Sequence, residues 1–151
     1  MTERYEALPL RHVLTLPTMG AAVRMARETT EQVLVEWGIG LNHPSVGPAL
    51  LILSELVTNS VRHAAVLSPN VTVLYAAGPD AFAFGVHDRH PYRPALHVPA
   101  YVAGGGGLAT VAELTLGLGG TVVVRDDPDG QGKSIWITLP LHRAGSASED
   151  A

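Results

Sequence analysis

Cysteine is absent from the 151 residues, which excludes disulfides, thiolate zinc sites and a cysteine nucleophile. No apolar run approaches the roughly 20 residues that a membrane-spanning helix needs. The densest, Ala49 to Leu53, is five residues long and runs into Ser54 and Glu55. There is no surplus of basic residues: net charge is −4, so the electrostatic footprint of a nucleic-acid-binding surface is missing. The first residues, with Glu3, Arg4 and Glu6, lack the apolar stretch and cleavage site of a signal peptide. Internal repeats and a dividing linker are absent too. These absences point to a cytoplasmic protein with no direct nucleic-acid partner and no membrane partner.

What is present is an ordinary globular composition, 46% hydrophobic and 16% charged, at a length that suits one domain. That domain is expected over residues 10–142. Residues 1–9 and 143–151 read as flexible ends, the latter because Ala-Gly-Ser-Ala-Ser-Glu-Asp-Ala has too little to bury. His12 to Leu16 reads as a short strand stopped by Pro17. From about Thr18 to Trp37, residues Val23, Ala26, Thr30, Val33 and Trp37 recur at helical spacing, and Gly38 stands where a helix cap belongs. A second helix is expected from Ser45 to about Val66, burying Leu53, Leu56, Val57, Ser60 and Ala64. Val71 to Ala77 and Ala81 to Asp88 read as an antiparallel hairpin around Gly78-Pro79-Asp80. A proline- and glycine-rich loop (Arg89 to Gly106) precedes a helix from Gly107 or Leu108 to about Leu118. Thr121 to Arg125 and Ser134 to Leu139 form a last strand pair around a Pro-Asp-Gly turn. The order β-α-α-β-β-loop-α-β-β predicts an α+β sandwich with the helices on one face of the sheet.

Four segments carry chemistry. In Glu55-Leu-Val-Thr-Asn59-Ser-Val-Arg62-His63-Ala64, the residues Glu55, Asn59 and Arg62 share one helical face, apart from the leucine stripe. An asparagine oxygen is a hard neutral ligand suited to Mg2+, and a glutamate one turn away is placed to accept a proton. A solvated helix face would also carry these residue types. In Phe84-Gly-Val-His-Asp88, strand alternation puts Phe82, Phe84, Val86 and Asp88 on the helix-covered side. A buried carboxylate there can accept from an adenine amino group beside an apolar wall, although an isolated turn-forming Asp reads the same. Gly104-Gly-Gly-Gly107-Leu108 opens a helix whose free backbone N–H groups and positive end can cradle phosphates. A glycine run of this kind also serves as a hinge. Finally, Gly132-Lys133-Ser134 leads into the last strand, where Ser134 or a backbone amide could meet a phosphate. It is not a P-loop, because Asp127 stands where that motif has its first glycine.

Taken together and in this order, from about Val13 to Leu141, the four segments resemble the GHKL ATPase superfamily of the Bergerat fold, with its histidine kinase-like ATPase domain. The resemblance is nearest to its anti-sigma-factor serine kinases and the related short bacterial regulatory ATP-binding proteins. Glu55 to Ala64 resembles the N box, and Val86-His-Asp88 with Pro91 and Pro94 the first glycine box. Gly105-Gly-Gly107-Leu108 resembles the second glycine box, Gly132-Lys-Ser-Ile-Trp136 the closing Gly-Lys-Thr-Val-Trp strand, and Trp37-Gly38 the end of the first helix. The resemblance implies a two-layer sandwich with a mixed, mostly antiparallel sheet and an ATP lid loop. It implies Mg2+ and ATP, or ADP, as ligands. Glu55 would be the catalytic base and Asn59 the metal ligand. Nucleotide contacts would come from Asn59, Arg62, Asp88, Gly105, Gly107, Leu108, Lys133 and Ser134. The implied activity is that of a serine/threonine protein kinase that phosphorylates a small antagonist protein and sequesters a sigma factor. Related regulators are often homodimers.

One departure stands out. The first glycine box ordinarily reads Asp-x-Gly-x-Gly, whereas Asp88 is followed here by Arg-His-Pro-Tyr-Arg-Pro. Those glycines give the backbone its close approach and the lid its movement. Their loss favours a second reading, a nucleotide-dependent interaction module with little or no turnover. His87, His90 and His97 do not read as a metal cluster, since alternation turns His87 away from the site. The acid pair Asp126-Asp127 reads as solvated.

Overall fold

The computed structural model describes residues 8–90 and 107–141, with side chains at 107–109 left aside. The elements are β1 (Leu10–Pro17), α1 (Ala21–Glu36), α2 (Val46–Ala64), β2 (Asn70–Ala77), β3 (Ala81–Asp88), α3 (Gly107–Gly117), β4 (Thr121–Asp126) and β5 (Lys133–Pro140). The strands form one sheet in the order β1-β2-β3-β5-β4, and every pairing is antiparallel. The last strand of the series is therefore inserted between β3 and β4. The protein has an α+β architecture of two layers, a sheet and the helices packed on one of its faces.

Alternation decides which side chains meet the helices. Val71, Val73, Tyr75, Phe82, Phe84, Val86, Ile135, Ile137 and Leu139 are all buried on the covered face. Above them α2 packs on β2 and β3, α3 on β4 and β5, and α1 on α2 and beside β1. The stripe that α2 buries, Leu53, Leu56, Val57, Ser60 and Ala64, is the one that its 3.6-residue period predicts. On α1 the buried set is Ala22, Ala26, Thr30, Val33 and Leu34, so Val23 and Trp37 lie at its margin rather than in its centre. Thr30 Oγ1 donates to the Ala26 carbonyl at 2.7 Å and so accepts from the buried Tyr75 hydroxyl, also at 2.7 Å. Burial pushes that phenol up to about 12.

Three local features fix where α2 sits. Gly38, at φ 78°, closes α1 in a Schellman turn, its N–H donating to Val35 O while that of Ile39 donates to Leu34 O. In the following loop, His43 Nδ1 accepts from the Ser45 N–H, so its Nε2 carries the proton donated to the Leu141 carbonyl. Ser45 Oγ donates to the Pro140 carbonyl at 3.0 Å. The start of α2 is thus tied to the end of β5. Pro17 ends β1 from within, opposite Asn70, instead of stopping the strand one residue earlier. An edge strand tolerates a residue without an N–H.

Among the described residues, the other face of the sheet has no helix on it. Along it, Val13, Leu74, Gly85, Trp136 and Val123 fall on one line across all five strands. The Trp136 indole lies against Gly85, where any Cβ would come within 2.6 Å of the ring.

Candidate functional site

Two central strands and one helix build the site. Asp88, the last residue of β3, is 2% exposed, and Lys133, the first of β5 and its register partner, is 3% exposed. Lys133 Nζ lies 2.7 Å from Asp88 Oδ1. The same oxygen accepts the His90 N–H at 3.0 Å, and Oδ2 accepts the Ser60 hydroxyl of α2 at 2.7 Å. A buried carboxylate without such partners would be strongly unfavourable. Here an ammonium, a hydroxyl and a backbone amide compensate it.

Ser60 links this carboxylate to the helix residues that carry the expected phosphate chemistry. Asn59, its neighbour, and Glu55, one turn earlier, are half-buried. Among the described residues neither makes a side-chain hydrogen bond or ion pair. Their polar atoms are therefore available to a ligand. Arg62 and His63, further along α2, are exposed. Gly107 is the first residue of α3. Gly105 lies outside the described residues, as do His97 and the Leu108 side chain.

Ser134 does not join this group. In β5, Lys133, Ile135, Ile137 and Leu139 face the helices, so Ser134 and Trp136 project to the uncovered face. There Ser134 borders a shallow cavity of about 180 Å³ with Arg125, Asp126, Asp127, Pro128 and Trp136. Of the pair Lys133-Ser134, only the lysine reaches Asp88. The strand was expected to begin at Ser134; it begins one residue earlier, and that residue is the one at the site.

A second cluster lies at the same end of the sheet, on the uncovered side. His87 Nε2 is 2.9 Å from Asp127 Oδ2, Arg89 binds Asp127 through Nη1, and its Nη2 is 2.6 Å from Asp129 Oδ2. The Arg89 N–H donates to Ser68 Oγ at 2.9 Å. Burial alone would raise the Asp127 carboxyl, but the hydrogen bonds and charges of His87 and Arg89 bring it below its ordinary value. The Arg89 hydrogen bond likewise lowers Asp129. Asp127 is thus not the solvated turn acid that its position suggested: its side chain is 18% exposed and doubly paired. Gly132 makes room for this, because a Cβ there would meet Asp127 Oδ2 at 2.3 Å and the Asp88 carbonyl at 2.7 Å. Ser60, Ser68 and this cluster were missed at the level of sequence. Ser60 read as a core position, and pairings across some 40 residues leave no local signal.

Comparison with known proteins agrees with this geometry. The family described as "Histidine kinase-, DNA gyrase B-, and HSP90-like ATPase" matches residues 47–143, a span from the start of α2 past the end of β5. No curated protein matches the chain. Among solved structures, the RsbU and RsbW domains of Rv1364c from Mycobacterium tuberculosis are similar at 21% identity and a TM-score of 0.63. The match covers 90% of this chain and 34% of that one, so the chain spans about a third of that structure. The histidine kinase domain of a blue-light activated histidine kinase from Erythrobacter litoralis is similar at 25% identity and a TM-score of 0.48, over 64% of this chain and 44% of that one.

Proposed function

The chain belongs to the histidine kinase-, DNA gyrase B- and HSP90-like ATPases, and from that membership we propose that it binds Mg-ATP and transfers its γ-phosphate to a serine or threonine of a small partner protein. The observation that carries this reading is the coupling on α2. Two half-buried, uncommitted polar side chains, Glu55 and Asn59, stand on the helix whose Ser60 holds the buried Asp88. The Ser60 bond thereby joins the helix that carries Glu55 and Asn59 to the strand end that carries Asp88.

In this reading Asp88 accepts from the adenine amino group, and the backbone at Gly105 and Gly107 cradles the phosphates. Arg62, exposed at the end of the Glu55–Asn59 face, is placed for a charged phosphate or partner contact. Glu55 accepts the proton from the partner's hydroxyl as its oxygen bonds to the γ-phosphorus and the bond to the β-phosphate oxygen breaks, leaving ADP. The donor set fits Mg2+, since the Asn59 side-chain oxygen is hard, neutral and without another partner among the described residues. Mg2+ held there would neutralise charge on the phosphate oxygens. The partner of this reading is an antagonist protein of the anti-sigma-factor type, with a sigma factor as the sequestered target and a homodimer as the working assembly.

Single-turnover transfer of radiolabelled phosphate tests the reading. Glu55→Gln keeps ATP affinity within a few-fold while transfer falls by about 10²- to 10⁴-fold. Asn59→Ala instead loses the Mg2+-dependent part of binding. Transfer by Glu55→Gln at the wild-type rate would show that Glu55 is not the base.

A second reading has its own observation. Arg89, which follows Asp88 where the family has a flexible glycine box, is tied to Asp127 and Asp129. A pinned segment favours a nucleotide-dependent interaction module with little turnover. Wild-type protein that transfers no phosphate to a cognate partner, while ATP changes its affinity for that partner, would decide for this reading.

A further inference from the structure

Buried lysines are rare unless they are paired, and Lys133 is buried at the start of β5, on the helix-covered face beside Asp88. Its hydrogen-bonding capacity is not used up. An ammonium has three donors. Among the described residues, one goes to Asp88 Oδ1 at 2.7 Å and a second, at a long 3.5 Å, to the His90 carbonyl. One donor remains. Asp88 is the complement. An ionised carboxylate offers about four acceptor positions, and three are taken by Lys133, the His90 N–H and the Ser60 hydroxyl. One acceptor remains. An unused donor and an unused acceptor thus stand side by side on two central strands, locked by the β3–β5 register and by α2.

That pattern matches one edge of adenine, where the exocyclic amino group donates and the adjacent ring nitrogen N1 accepts. We propose that Lys133 is a specificity-determining residue that donates directly to adenine N1 while Asp88 accepts from the amino group, so that the buried ion pair reads two adjacent positions of the base. The inference rests on the nucleotide-binding reading and assigns Lys133 to the base instead of the phosphates. It also gives the buried charge a purpose. Neutralisation of Asp88 uses only one of the three ammonium donors. A lysine that reads N1 provides neutralisation and a donor together.

The test compares ATP with 1-deaza-ATP, in which N1 is replaced by C–H, by calorimetry on the wild-type chain and on Lys133→Met. Methionine keeps the length and apolar stem of lysine and removes the donors. Wild type binds 1-deaza-ATP about 10- to 100-fold more weakly than ATP, the range for a lost hydrogen bond from a charged group. In Lys133→Met the two nucleotides bind within about two-fold of each other, whatever the common change in affinity. A merely structural lysine would shift both nucleotides together and leave their ratio alone, which overturns the proposal. Equal binding of both nucleotides by wild type overturns it too, and needs no variant that folds. Failure of wild type to bind ATP at all has a different meaning: it defeats the nucleotide reading itself.

Discussion

Two charge clusters sit at the same end of the sheet, only one residue apart in sequence and on opposite faces. Asp88 with Lys133 is sealed beneath α2; His87 and Arg89 with Asp127 and Asp129 lie on the uncovered side. Both join the end of β3 to the β4–β5 region, one through the first residue of β5 and the other through the turn before it, and both span some 40 residues of chain. Their energetics differ because water differs. In the buried pair each charge has lost its hydration and has the other as its opposite charge, so removing one member strands the other. In the exposed cluster water and salt take over from a missing partner. Charge pairing at the buried place locks the ends of β3 and β5 to each other beneath α2; at the more open place it fastens the chain leaving β3 to a turn.

The largest effect that follows is on stability at the buried pair. Lys133→Met is expected to lower unfolding free energy by about 3–5 kcal/mol, measured by urea denaturation at neutral pH. Adding Asp88→Leu to that variant should recover most of the loss, because an apolar pair of similar volume no longer strands a charge. The double variant should fold and yet lose nucleotide affinity. A Lys133→Met loss no greater than that of an exposed substitution would place the pair in water and erase the contrast. Arg89→Ala is expected to shift the urea midpoint by under about a third of the Lys133→Met effect, and the shift should shrink further as salt is raised.

The smallest effect is in acid. Asp127 and Asp129 have folded-state pKa values below their ordinary ones. Their contribution is therefore complete above the unfolded value near 3.9 and lost as pH falls through the lower folded values. The difference in Tm between wild type and Asp129→Asn should be constant from about pH 8 to 5, begin to shrink near pH 4 and vanish only below the lowered folded-state value. A difference that widened in acid would reverse the assigned sign.

Much of this contrast was legible in the sequence, and what was not has a physical reason. Alternation along Phe82, Phe84, Val86 and Asp88 placed the carboxylate on the covered face, and the same rule sent His87 outward. The 3.6-residue period gave the α2 stripe, and Gly38 gave the end of α1. Lys133 was named only through the family resemblance, since the strand was expected to begin at Ser134. Yet Ile135, Ile137 and Leu139 already fix its parity, and extending their alternation by one residue finds it. The same alternation turns the Ser134 hydroxyl to the uncovered face. The ties of Arg89 to Asp127 and Asp129 depend on which strands become neighbours, and neither periodicity nor motif spacing encodes that.

The insertion of β5 between β3 and β4 has a consequence in time. Both neighbours are already present in the chain when β5 arrives, each with an unfilled edge, and β5 is the last of the described strands to be synthesised. Closing the sheet therefore waits on a pairing of high sequence separation, the kind that slows folding through its loop-closure entropy. Lys133 arrives on that same strand. A chain halted before β5 would retain Asp88 without its cation, and with two open edges it would be a species prone to aggregate. Assembly of the Asp88–Lys133 pair thus coincides with completion of the sheet, so a ligand that needs the pair would stabilise only chains that have finished folding.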